Sequence, residues 1–148
     1  MKAVIQRVLD ASLSVDGQLI SQIDKGYVIF LGVKKGDDKS VADYFIKKIP
    51  PLRICEDENG KINKSIIDVG GEILLVSQFT LYANTSHGNR PEFLNAEVPE
   101  KANELYEYVF NGLSTQGLTV KKGVFGADMK ITQTNDGPFT IILEKDAQ

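Results

Sequence analysis

Side chains able to do chemistry near neutral pH are scarce in this sequence. It holds one histidine, His87, and one cysteine, Cys55, among 148 residues. Cys55 sits in Arg53-Ile54-Cys55-Glu56, an extended-looking stretch where a lone cysteine behaves as a small hydrophobe. A thiol nucleophile would need a base, and His87 is far away along the chain. A Ser-His-Asp triad would also need His87, yet Ser86-His87-Gly88-Asn89 offers no firm scaffold or third group to orient the imidazole. The phosphate loop, the dinucleotide fingerprint and the His-Glu-x-x-His zinc motif are all missing. So is the Gly-x-Ser-x-Gly elbow. Asp37-Asp38 and Glu56-Asp57-Glu58 read as loop or helix-end charges rather than a metal cage. No metal or other cofactor is expected.

Two polar strings remain. Ser77-Gln78-Phe79-Thr80 follows the apolar run Ile73-Leu74-Leu75-Val76, a place where core packing alone would not put hydroxyls and an amide. Its plain explanation is a strand end whose polar groups satisfy local backbone. Asn135-Asp136-Gly137-Pro138-Phe139-Thr140 lies between two strand-like stretches. These are turn residues, and an X-Pro bond permits cis geometry. Each string is weak alone; their co-occurrence is the informative fact.

The elements that must position these strings are mixed. Ala3, Ile5, Arg7 and Leu9 alternate with Val4, Gln6 and Val8 in the period of a strand, and Arg7 on that apolar line needs a partner if buried. Ala11, Leu13 and Val15 continue to an Asp16-Gly17 hairpin turn, then Gln18–Ile23. Tyr27–Val33 is continuously apolar, as in a strand covered on both faces. A helix begins near Asp38, with Val41, Phe45, Ile46 and Ile49 as its stripe, and stops at Pro50-Pro51. Leu52–Glu56 is extended up to an Asn59-Gly60 turn, and Glu72–Tyr82 follows Gly70-Gly71 as a central strand. Residues 84–98 form a long loop. A second helix runs from Pro99 to about Gln116, with Ala102, Leu105, Tyr106, Val109 and Leu113 inward. Strands around Val120–Phe125, Met129–Thr134 and Phe139–Leu143 complete a single mixed α/β domain over residues 1–148, with a curved, partly closed, barrel-like sheet and two main helices.

Composition narrows the partners. With 42% hydrophobic residues, a chain of this length holds a core without disulfide or metal. No apolar run reaches membrane-spanning length, and the N-terminus has no signal-peptide pattern, so a soluble cytoplasmic protein is expected. Seventeen basic against twenty acidic residues give a net charge of −3, the wrong sign for binding DNA or RNA chiefly through phosphates. Lys34-Lys35, Lys47-Lys48 and Lys121-Lys122 with Lys130 permit a modest basic face without demanding one.

Ser77–Thr80 and Asn135–Thr140 resemble the two signature motifs of the D-aminoacyl-tRNA deacylases, the D-tyrosyl-tRNA deacylase family. The resemblance extends to Ile5-Gln6-Arg7-Val8 with Ala11-Ser12, Gly70-Gly71, Arg90-Pro91 with Phe93, and Phe125-Gly126-Ala127-Asp128-Met129, in order along the chain. It implies a homodimer that hydrolyses the ester between a D-amino acid, or glycine, and the tRNA 3′ end. Ser77, Gln78, Phe79 and Thr80 would line the pocket at the ester, with backbone N–H groups near Phe79 and Thr80 as an oxyanion hole. Gly137-Pro138, with a cis bond, would reach into the partner subunit's pocket. Arg7, with Asn135 and Thr140, would support that loop. Phe125 and Met129 would hold the terminal adenosine, and Ala102 would stand at the pocket wall. Thr80 as a covalent nucleophile stays open, though no adjacent base is evident. Three features depart from the family pattern: Asp10 replaces a basic residue, Glu92 replaces a small serine, and Pro50-Pro51 ends the first helix. Two other readings stand beside this one: a non-enzymatic tRNA-end binding module stacking on Phe125 and Met129, and an esterase using His87 as base.

Overall fold

The architecture is given by a computed structural model that describes every residue, Met1–Gln148. Strand β1 (Lys2–Val15) runs unbroken through both expected N-terminal stretches and turns back at Asp16 and Gly17. Their φ values of 50° and 78° are both positive, as a two-residue hairpin with the native strand twist requires. Strand β2 (Gln18–Ile23) follows, then β3 (Gly26–Gly32), of which all but Phe30 is buried. Helix α1 (Lys39–Lys48) starts where the Val41 N–H donates to the Asp38 carboxylate at 3.0 Å, satisfying one orphan donor of the first turn. A small hairpin of β4 (Cys55–Glu56) and β5 (Ile62–Lys64) leads to β6 (Glu72–Ser77). Helix α2 (Pro99–Ser114) has proline in its first turn, where the missing N–H costs nothing. Strands β7 (Thr119–Lys122) and β8 (Met129–Glu144) end the chain.

Strand β8 pairs with β1 on both sides of Arg7, from Lys2 to Val15, so β2 and β3 share the other edge of β1 end to end. β3 then pairs in parallel with β6, and β6 in parallel with β7. Parallel neighbours need crossovers, which explains where the helices fall: α1 between β3 and β6, α2 between β6 and β7. The sheet curls until Lys121 Nζ donates to the Gln22 carbonyl at 2.6 Å and Ser21 Oγ donates to the Lys122 carbonyl at 2.6 Å, leaving it a nearly closed, mixed barrel with two helices. Its two faces bury separate clusters. Tyr27, Ile29, Ile73 and Leu75 meet Phe45, Leu105 and Val109 of the helices, while Val28, Leu74 and Val76 meet Leu13 and Ile23. No helix is long and apolar enough to cross a membrane.

Several expected boundaries move. The central strand stops at Ser77 rather than Tyr82: the Gln78 N–H makes the last link, to the Leu31 carbonyl at 2.9 Å, and Phe79–Tyr82 winds into a 3-10 turn. The strand expected at Leu52–Glu56 shortens to Cys55–Glu56, that at Val120–Phe125 to Thr119–Lys122, and α2 ends at Ser114. The largest correction concerns Asn135–Thr140, which is not a reversing turn. Asn135 pairs with Val8 and Thr140 with Gln6, so residues 136–139 loop out of a single strand opposite Arg7. Turn-forming residues here make an excursion, because both flanks are held by the same partner strand. Asp37 is no surface charge either. It is 1% exposed and lies 2.8 Å from the Met1 ammonium, itself buried.

Gly26 begins the pairing of β3 with β6, opposite Glu72. Its φ is +159°, and a Cβ there would stand 1.8 Å from the Glu72 carbonyl oxygen, a backbone atom with nowhere to go. Gly26→Ala must part the two strands at the start of their register, and is expected to cost about 3 kcal/mol or more in urea unfolding.

Candidate active site

A cleft of about 700 Å³ opens at the C-terminal end of β6. One side carries Ser77, Gln78 and Phe79, delivered there because β6 runs out of sheet partners after Leu31 opposes Ser77. The other side carries Ala102 from the first turn of α2 and Phe125, Met129 and Ile131 from the β7–β8 connection and β8. The loop 93–99 forms the rim, with the Phe93 ring edge-on to Phe79 at 5.1 Å between centroids. Beneath, Tyr106 of α2 donates its hydroxyl to the Leu75 carbonyl at 2.6 Å and leans on Phe125 at 6.1 Å, tying helix, strand end and aromatic wall together. Burial and the neighbouring Glu107 charge hold the Tyr106 phenol well above its ordinary range, so it stays a neutral donor.

Six of the residues singled out from sequence therefore meet in one place: Ser77, Gln78, Phe79, Ala102, Phe125 and Met129. Thr80 is exposed outside the lining, and its hydroxyl accepts a hydrogen bond from the Gln78 side-chain amide. No base stands beside it. The N–H groups of Phe79 and Thr80 open the 3-10 turn, where the first donors have no acceptor within the turn. His87 is exposed on the 84–98 loop and does not line the cleft. Cys55 is buried with its sulfur 3.3 Å from the Tyr27 hydroxyl, so it forms no pair with His87.

Gly137, Pro138, Arg7, Asn135 and Thr140 form a second assembly that does not line this cleft. Arg7 is 4% exposed and fully used. Its Nη1 donates to the Ile54 carbonyl at 2.9 Å, its Nε lies 3.3 Å from both the Asp136 carbonyl and an Asp136 carboxylate oxygen, and its guanidinium sits 4.8 Å over the Phe139 ring. Glu56 approaches at 3.5 Å. The excursion it grips displays Gly137 and Pro138, both exposed, with a cis bond between them and φ of +132° at Gly137. Asn135 accepts from the Gln133 side chain at 2.7 Å, and Thr140 accepts from Gln6 at 3.4 Å.

Sequence reasoning did not reach Glu97, Val98 or Ile131, and took Lys35 only as part of a possible basic face; all four line the cleft. Glu97 accepts the Val98 N–H at 2.9 Å and the Gly36 N–H at 3.3 Å, and pairs with Lys101 at 3.4 Å. The Val98 N–H above all holds its carboxyl below the usual range. Nothing in the pattern of the 84–98 stretch marks these contacts, because a loop has no period from which to infer a facing side. Of the lysines that permitted a basic face, Lys34 pairs with Asp146, Lys122 with Glu107 and Lys130 with Asp128, while Lys35, Lys47, Lys48 and Lys121 have no carboxylate partner.

A cleft at the C-terminal end of a parallel strand, lined by Phe79, Phe93 and Phe125 beside the opening N–H groups of a 3-10 turn, has the form of a small-ligand site. A family profile described as D-Tyr-tRNA(Tyr) deacylase matches residues 4–144, and the chain belongs to that family. A D-aminoacyl-tRNA deacylase of Syntrophomonas wolfei is 49% identical over 99% of this chain and 98% of its own length. One of Geotalea daltonii is 52% identical over 97% and 96% respectively. Among solved structures, a c-Myc DNA unwinding element binding protein is 42% identical with a TM-score of 0.93, covering 99% of this chain and 100% of that one.

The Arg7 cluster yields a stability test. Arg7→Met keeps the apolar stem but strips the Ile54 carbonyl of its donor and frees the part-exposed Asp136 carboxylate. The expected loss is about 2 kcal/mol in urea unfolding. Arg7→Lys should recover only part of it, since one ammonium cannot serve Ile54 and Asp136 together.

Proposed function

We propose that this protein hydrolyses the ester of D-aminoacyl-tRNA, releasing the D-amino acid and free tRNA. Family membership over nearly the whole chain supports the reaction, and one geometric observation carries its assignment to the cleft. Ser77, Gln78 and Phe79 converge there on Ala102, Phe125 and Met129, with no side-chain base among them. An aminoacyl ester is an activated acyl group, so orientation of a water and stabilisation of the developing oxyanion can suffice. In this reading the N–H groups of Phe79 and Thr80 receive the oxyanion, and the 2′-hydroxyl of the terminal ribose helps activate the attacking water. Phe125 and Met129 hold the terminal adenosine, and Ala102 keeps that wall shallow.

Chirality is set by rejection. Gly137-Pro138 does not line its own chain's cleft, so in this reading it enters the cleft of a second copy and stands where an L side chain would go. Two observations support a homodimer: the excursion displays its tip to solvent, and β8 is a 16-residue strand with β1 as its only partner, an edge that proteins normally cover. Glycine has no side chain to reject, so glycyl-tRNA is also a substrate. In this reading the enzyme works in the cytoplasm, where tRNA is charged. Neither DNA nor membrane is a partner in this reading. DNA binding, named for the 42%-identical structure, finds little support in a chain of net charge −3.

The first test compares D-tyrosyl-tRNA with L-tyrosyl-tRNA, without added metal and with chelator present. Release from the D ester alone is expected, and His87→Ala should be near normal. Equal release from both esters would remove the proofreading role, and binding without release would leave a tRNA-end binding module. A second test uses Gly137→Val. At φ +132° a Cβ would lie 2.8 Å from the Phe139 N, so any side chain displaces the tip. Discrimination between D and L esters should fall at least about tenfold, roughly 1.4 kcal/mol. Unchanged discrimination would remove the tip from selectivity.

A further inference from the structure

We propose that Lys35 is a phosphate-docking residue at the mouth of the cleft, its ammonium taking a phosphodiester of the single-stranded RNA that carries the aminoacyl ester. The inference rests on the deacylase reading above and adds a contact outside the reacting nucleoside.

The charge distribution in the cleft carries it. Lys35, Glu97 and Asp128 are its charged lining residues. Both acids are already occupied: Glu97 holds Lys101 and two backbone N–H groups, and Asp128 pairs with Lys130 at 3.1 Å. Lys35 has no carboxylate within ion-pairing distance, and its side chain is exposed. Glu92, just before the rim loop and with a charge that senses Lys35, already uses its carboxylate to accept the Leu94 N–H at 2.9 Å. Lys47 and Lys48, also an adjacent pair without a carboxylate partner, sit at the end of α1 and do not line this cleft.

The backbone beneath Lys35 is fixed, unlike that of an ordinary surface lysine. Its N–H donates to the Asn95 carbonyl at 2.9 Å. On one side, the Lys34 N–H donates to the Asp37 carboxylate at 2.7 Å, and that carboxylate is anchored in the buried ion pair with the Met1 ammonium. On the other, the Gly36 N–H is held by Glu97. An exposed cation on so rigid a turn, at the entrance of a cleft in an acidic protein, gives an incoming polyanion one favourable point of approach. In the deacylase reading the ester lies against Ser77 and Phe79 and the adenosine against Phe125 and Met129, which leaves Lys35 to meet a phosphate upstream of the terminal nucleoside.

The experiment measures initial rates for wild type, Lys35→Ala and Lys35→Arg between about 50 and 200 mM salt. Two substrates are used: D-tyrosyl-tRNA, and 3′-D-tyrosyl-adenosine, which has the same ester and no phosphate. On the tRNA, Lys35→Ala should raise KM about fivefold at the lowest salt, with the change in KM rather than kcat. The slope of log kcat/KM against log salt should flatten by about 0.7, the value for one phosphate of a single strand. Lys35→Arg should restore the slope, and the defect should be several-fold larger on the tRNA than on the adenosine ester. A wild-type salt slope in Lys35→Ala, or an equal defect on both substrates, overturns the proposal. Wild-type protein inactive on both esters overturns the deacylase reading itself, and this inference with it.

Discussion

The parallel register of β3 on β6 is the constraint on which the rest of the molecule depends. β3 is buried on both faces, so a one-residue slip would send every side chain into the wrong one of the two cores. Glycine at position 26 lets the two strands begin in contact, and from there the pairing runs residue for residue until Leu31 meets Ser77. The place where that ladder ends is the place where polar side chains and unpaired N–H groups can emerge. Helix α2 belongs to the same arrangement, since Tyr106 bonds the Leu75 carbonyl two residues before the strand end. The cleft is thus a by-product of how far two buried strands can pair.

Much of this was readable in advance, for identifiable reasons. Strands β1 and β3 and both helices announce themselves through period and caps: the Asp38 N-cap, Pro99 in a first turn, and the Asp16-Gly17 hairpin are local signals obeyed locally. Arg7 was conspicuous as a cation on an apolar line, and its partners prove to lie on two distant segments, at Ile54 and Asp136. Which partners it found could not be inferred from Arg7 alone. The errors share a cause. Ser77–Tyr82 keeps enough apolar character to look extended, yet no neighbouring strand is left to pair with it beyond Gln78. Asn135–Thr140 has the composition of a reversing turn, but tertiary pairing with β1 on both flanks overrides composition. Asp37 looked like a helix-end charge because nothing near it in sequence reveals that Met1 lies against it.

Electrostatics follow the same logic of local use. The protein is acidic overall, and many of its cations are committed to structure: Arg7 to the β8 excursion, Lys122 to Glu107, Lys101 to Glu97. Charge within the fold serves mostly to hold segments in place. What reaches solvent uncompensated near the cleft is sparse, a pattern suited to gripping the end of a strand rather than the length of a duplex.

The excursion at 136–139 has a consequence for how this fold can change. Asn135 and Thr140 are each anchored to β1 independently, on either side of Arg7. Residues added or removed between them would alter the height of the tip without sliding either flank, so no inward side chain would be turned outward. The barrel and the tip are therefore separable characters. Selection can reshape one while the core of the other keeps its packing, which is the condition under which a single scaffold diversifies.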